Sequence, residues 1–151
     1  MSDFDPSTLG PPALKIQGFQ LWIHSRQFPE SRDFWDANWL YITAHCGASE
    51  ASVWAQGAIL MTADIERFLE QCIQLHERKS DTASLKPLEP SLEIELAKWD
   101  RRGNIRMRVQ ITPDQMTQKH EMSFELDQSY LPEIVRQCRI ILEEFPVVQK
   151  S

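Results

Sequence analysis

The chain has 151 residues and a net charge of −6, with an isoelectric point near 5.2. That length fits one domain with a core that needs no staples, and the acidic balance argues against nucleic-acid binding, which draws on a basic surface. Hydrophobic residues make up 42% and charged residues 25%, so disorder across the body of the chain is not expected.

Residues 1–12 contain Pro6, Gly10, Pro11 and Pro12 and read as a mobile or extended arm. The stretch before Pro6 is acidic and lacks the apolar centre of a secretory leader. No run approaches the ~20 apolar residues of a membrane span. A cytoplasmic protein without a membrane partner is expected, organised as one domain over 13–147 with a short tail at 148–151.

Leu14 and Ile16, then Phe19, Leu21 and Ile23, alternate with a phase change at Gly18, which reads as one strand bulged at the glycine. Leu40, Ile42, Ala44 and Cys46 give a second strand, and Val53 and Ala55 a third, linked by a turn over Gly47-Ala48-Ser49-Glu50. Thr62 is placed to cap a helix whose first turn holds Asp64 and Glu66. Ile65, Phe68, Leu69, Cys72 and Ile73 follow at helical spacing, and the helix ends near Arg78. Residues 79–90, with Pro87 and Pro90, read as a loop or a short edge strand.

Three further strands alternate cleanly, around Leu92–Leu96, Ile105–Ile111 and Met122–Leu126. One register sets Ile94 opposite Val109, Glu95 opposite Arg108 and Leu96 opposite Met107. Carried forward, it sets Val109 opposite Phe124 and Arg108 opposite Glu125, which makes an acid–base–acid stripe on the outer face. A last helix, capped by Asp127 or Ser129, carries Leu131, Ile134, Val135, Cys138, Ile141, Leu142 and Phe145 as one apolar stripe and stops at Pro146. The expected fold is α+β: an antiparallel sheet of about six strands in β-β-β-α-β-β-β-α order, with two amphipathic helices on one face.

The sequence carries no recognisable catalytic or cofactor motif. Its five glycines are scattered, without a phosphate loop or a nucleophile elbow. Cys72 and His76 share a helix face and His45 adjoins Cys46, but no third partner has metal spacing. The three cysteines form no even, closely paired set and fall at apolar positions, so they read as buried free thiols. Glu93 and Glu95 face arginines and read as a solvated ladder rather than an acid–base pair.

Two features remain. Trp22, His24, Trp39, Tyr41, His45 and Trp54 fall on the strand face turned away from the core. They are a binding patch, a dimer interface, or a minor core under the loop 25–38. Within that loop, Trp35 and Trp39 can anchor the chain, while Asp36 and Asn38 can each cap a turn, the stronger of their two possible roles. Trp22, Trp35, Asp36, Asn38, Tyr41 and Trp54 are therefore the candidate partner-binding residues.

At this loop the string Phe28-Pro29 through Trp35-Asp36-Ala37-Asn38-Trp39-Leu40 resembles the motif of WapI-type immunity proteins of bacterial polymorphic-toxin systems. The Ile16-x-Gly18 strand, Leu60-Met61-Thr62, Leu92-Glu93-Ile94 and the closing Phe145-Pro146 also match, so the resemblance spans residues 14–146. The Gly47-Ala48-Ser49 turn and the Ser80–Pro90 loop have no counterpart in it. The resemblance implies a cytoplasmic protein that binds a cognate toxin domain, RNases included, and needs no catalytic residue. An acidic inhibitor suits a basic nuclease. Two other readings stand beside it: a small enzyme or ligand binder with a deep pocket holding His24 and His45, and a homo-oligomer burying the aromatic face.

Overall fold

The computed structural model describes residues 6–148. Where the sequence suggests one bulged strand there are two: β1 (Leu14–Ile16) and β2 (Phe19–Arg26). They pair antiparallel, Leu14 opposite Leu21 and Ile16 opposite Phe19. The phase change at Gly18 is thus a two-residue turn, with Gln17 at φ 51°. A one-turn helix, α1 (Phe34–Ala37), interrupts the loop that follows, and then come β3 (Trp39–Ala48) and β4 (Ala51–Met61). Ser49 and Glu50 alone connect these last two strands. Helix α2 (Thr62–His76) leads to β5 (Thr82–Leu85), β6 (Leu92–Lys98), β7 (Ile105–Ile111) and β8 (Glu121–Leu126), and α3 (Tyr130–Glu144) closes the chain.

The single sheet expected from the sequence is therefore two, in the orders β1-β2-β3-β4 and β5-β6-β7-β8. The count exceeds six because the Gly18 turn splits one strand and because residues 79–90 supply the edge strand β5. Helix α2 lies along β5 and β4, α3 lies along β1 and α2, and β7 and β8 approach β3. Apolar faces of both sheets and both long helices share one core, in which Phe19, Leu21, Ile42, Phe68, Ile94 and Leu96 are fully enclosed. Each such side chain contributes about 1.5–3 kcal/mol of transfer free energy.

Two sheet edges are closed by glutamines of the helices. Gln137 Oε1 accepts from the Lys15 N–H at 2.7 Å and its Nε2 donates to the Lys15 carbonyl at 3.2 Å. Gln71 Oε1 accepts from the Ser84 N–H at 2.8 Å. An open strand edge is a template for pairing, so these contacts fix the helices in place and blunt β1 and β5 together.

In the C-terminal sheet, β6 and β7 pair as expected, Glu95 opposite Arg108. The next pair is displaced by two residues: Val109 faces Met122, Met107 faces Phe124, and Arg106 rather than Arg108 faces Glu125. The cause lies in the connection. Asp114 winds residues 112–120 into a compact loop by accepting from Met116 N–H and Thr117 Oγ1, and the Ile111 N–H closes it on the His120 carbonyl. The stripe survives with another acid, since Arg108 lies 3.3 Å from Glu95 and 3.7 Å from Glu121. A shift of two keeps every side chain on its face, so alternation alone does not separate the registers.

Helix ends correct one further expectation. Thr62 is not the cap of α2; its hydroxyl donates to Asn38 Oδ1, and Asp64 reaches back to accept from the Met61 N–H at 2.8 Å. At the other end Arg78 takes φ 62°, while Lys79 N–H donates to the Gln74 carbonyl and Arg78 N–H to that of Leu75. This is the left-handed helix stop that glycine usually occupies. Arg78→Gly is expected to raise stability by about 0.5–1 kcal/mol, read as a higher urea midpoint at unchanged m; an unchanged or lower midpoint refutes the strain at this position.

All three cysteines are free and buried. Burial pushes the Cys46 thiol up to about 11 and Cys138 to about 12, and burial raises Cys72 as well, with a smaller push from the neighbouring Cys138. No helix among the described residues is long and apolar enough to cross a membrane.

Candidate functional site

The outer face of the N-terminal sheet collects the aromatic residues that alternation places there. Trp22 and Trp54 stack at 5.8 Å with 20° between planes, His45 lies 4.1 Å from Trp54, and His24 lies 5.8 Å from Tyr41. Trp22 is only 8% exposed. Its indole N–H donates to the Gly10 carbonyl at 2.9 Å, so the segment before β1, rather than loop 25–38, reaches over this ring.

The histidines on this face tie strands together. His24 Nε2 sits 2.7 Å from Thr43 Oγ1. His45 Nε2 is 2.6 Å from Ser52 Oγ and its Nδ1 is 3.3 Å from Gln20 Oε1. Burial lowers the His45 pKa, which favours the neutral ring. Gln20–His45–Ser52 has the order of orienter, base and nucleophile. It lies across three strands of a sheet face, though, and neither His24 nor His45 lines any of the three clefts that flank β4, α1 and the 112–120 loop. Among the described residues, no three histidine, cysteine or carboxylate side chains converge as metal ligands.

The second surface is the corner around α1. Asn38 caps the C-terminal end of α1, as its side chain suggests, and Asp33 caps the N-terminal end: its Oδ1 accepts from the Trp35 N–H at 2.8 Å and the Asp36 N–H at 3.4 Å. Its signal was there, an aspartate directly before Phe34-Trp35. Arg26 holds the corner from β2, donating to the Ala37 carbonyl at 2.8 Å and to the Pro146 carbonyl.

Asn38 is the hub of the corner and is 0% exposed. Its Nδ2 donates to the Phe34 carbonyl at 2.7 Å and the Val148 carbonyl at 3.0 Å. Its Oδ1 accepts from Thr62 Oγ1 at 2.7 Å and from the Val148 N–H at 2.8 Å. One side chain thus joins α1, α2 and the segment after α3.

Above this hub the surface is apolar. Trp35 is 52% exposed and packs edge-on to Phe34, with ring centroids 5.5 Å apart. Phe34, Trp35, Met61 and Leu88 frame a groove of about 180 Å³, with Arg67 and Asp64 in its wall. Arg67 Nη2 lies 2.6 Å from Asp64 Oδ1. Burial raises the Asp64 carboxyl above its usual range, against the opposing pull of the Met61 N–H and Arg67. Leu88 is 71% exposed and Phe28 45%. The sequence signal for Leu88 was an apolar residue stranded between Pro87 and Pro90.

The six candidate residues therefore divide. Trp22, Tyr41 and Trp54 sit on the sheet face, Trp35 and Asp36 are exposed on α1, and Asn38 lies beneath α1 with no surface of its own. Together the fold and its surface define an α+β domain of two antiparallel sheets with an exposed aromatic corner.

The chain belongs to the immunity protein WapI-like family, whose model matches residues 13–146. Neither a curated protein nor a solved structure matched the chain.

Proposed function

We propose that this protein is a cytoplasmic immunity protein that neutralises a cognate toxin domain by binding it, without catalysis. The observation that carries this reading is the reach of the family match, 13–146, which runs from β1 to just past α3 and so takes in both sheets and every long helix. The surface supports it. A half-exposed tryptophan sharing a groove with an exposed leucine is the kind of anchor that protein partners bury. The net charge of −6 favours encounter with a basic partner such as a nuclease domain.

The contact surface in this reading is the α1 corner, with Trp35 as anchor and Asp36 on the polar rim. The aromatic sheet face, with Tyr41 and Trp54, is its secondary candidate, and a homodimer through that face is compatible with toxin binding. The test is co-expression with the C-terminal toxin domain encoded beside this gene. Growth is expected only when this protein is present. Trp35→Ala combined with Leu88→Ala is expected to weaken the complex by about 2 kcal/mol or more, roughly 30-fold, with little change in folding because both side chains are largely exposed. A toxin that this protein leaves fully active overturns the function; full rescue by the double variant at unchanged affinity moves the contact off the corner.

A further inference from the structure

Four strands end the two sheets, and three of them are guarded. Gln137 occupies the open side of β1 and Gln71 that of β5. Strand β8 carries Glu121 and Glu125 on its exposed residues, and Gln17 Nε2 donates to the Glu125 carbonyl at 3.3 Å. Strand β4 has neither a glutamine cover nor charges, and its one irregularity is a register shift that leaves Ile59 without a partner in β3. Ala51–Met61 spans 11 residues with neither a charge nor a proline among them. Long, uncharged edges of this kind recruit another strand.

The pairing pattern shows which groups are on offer. Gly47 N–H donates to the Gly18 carbonyl, so the odd-numbered residues of β3 turn their backbone groups toward β2 and the even-numbered ones toward β4. Opposite them, Ala55 and Gly57 pair with Ala44 and Ile42, while Gln56 and Ala58 stand across from Thr43 and Tyr41. By antiparallel alternation the N–H and C=O of Gln56 and Ala58 point out of the sheet. Among the described residues no side chain meets them.

They point into a cleft of about 210 Å³. One wall is β4 from Ala55 to Ile59, and the other is the turn before β6 together with Pro113. Glu89 is the one charged residue of its lining, held by Ser91 Oγ at 3.1 Å. Because a second wall stands across from β4, the cleft suits a single extended segment rather than the edge of a second sheet. Moreover, the same two pieces of chain continue into the α1 groove: Ile59 and Glu89 line the cleft, and Met61 and Leu88 line the groove.

We infer that β4 receives an extended segment of the toxin domain as a fifth strand, with a basic side chain toward Glu89 and the segment's end directed to the Trp35 groove. This rests on the binding function proposed above and names the part of the partner that is bound.

The experiment uses the full-length protein and the same C-terminal toxin domain. Gln56→Pro removes an outward N–H without breaking a pair to β3, and Ala58→Lys places on β4 the kind of charge that guards natural edges. Each variant is first checked for an unchanged unfolding midpoint, and the second stands in if the first misfolds. Either is expected to weaken toxin binding about tenfold or more, and amide exchange at Gln56 and Ala58 is expected to slow in the complex. Tight binding by both folded variants overturns the inference and leaves the function intact. Failure of the wild-type protein to bind overturns both. Protection of these amides in the free protein, together with a dimer that Ala58→Lys dissolves, assigns the edge to a second copy and overturns the toxin segment.

Discussion

Asn38→Ala is expected to lower the unfolding free energy by about 3 kcal/mol, a large share of the 5–15 kcal/mol typical of a domain. The residue is fully buried, and four hydrogen bonds end on its side-chain amide. Alanine leaves the Thr62 hydroxyl, the Val148 N–H and the Phe34 and Val148 carbonyls without that partner, and an unmet buried polar group costs about 1–3 kcal/mol. Water reaching the edge of the corner offsets part of the loss. The Thr62 N–H is unaffected, because it donates to the Asn38 main-chain carbonyl at 2.9 Å. Asn38→Asp is no rescue: it keeps the acceptor for Thr62 and Val148 but faces two carbonyl oxygens with a carboxylate. Urea unfolding checks this directly. An unchanged midpoint in Asn38→Ala contradicts the structural role given to this side chain.

Gly18→Ala is expected to be at least as damaging, about 3 kcal/mol or more, beyond the usual range for an added methyl in a packed site. A Cβ at this position would lie 2.0 Å from the Gly47 carbonyl oxygen and 2.9 Å from Phe124 Cε1. The ring can tilt, but the carbonyl belongs to β3, and Gly47 N–H donates to the Gly18 carbonyl at 3.0 Å. Relief therefore means parting β2 from β3 where β8 also approaches. The expected readout is a sharply lowered unfolding midpoint or loss of soluble protein. A shift worth less than about 1 kcal/mol contradicts the close approach.

These two positions also show what could be read from the sequence and what could not. Gly18 announced a break through the change of phase between Ile16 and Phe19, but a bulge and a tight turn leave the same trace in one strand's alternation. The difference lies in Leu14 facing Leu21, a pairing set by the turn. Alternation correctly placed Glu95 opposite Arg108, because the six-residue connection over 99–104 leaves little freedom. It placed β8 wrongly, because the longer 112–120 loop absorbs two residues with no change of face. Nor could it divide one sheet into two, since a strand's pattern tells which side is buried and not which neighbour lies there.

The corner was half legible. The aromatic residues and the Asp36–Asn38 stretch stood out as a loop with capping potential, and Asp33 could have been found by the same rule. The role of Asn38 depends on Val148, 110 positions away, and no local spacing encodes that. In the same way, alternation puts Trp22 on the outer face and leaves open whether that face is a binding patch, a dimer interface or a minor core, because the group that meets its indole is the carbonyl of Gly10, a main-chain group that carries no side-chain signature.

The central claim is neutralisation by binding, and the most direct test is a titration. Purified toxin domain is assayed for its own activity against rising amounts of this protein. The expected result is a linear loss of activity that is complete at one equivalent, with the two proteins recovered unmodified as a one-to-one complex. Full activity at excess protein, or inactivation by a small fraction of an equivalent as a catalyst would give, contradicts it.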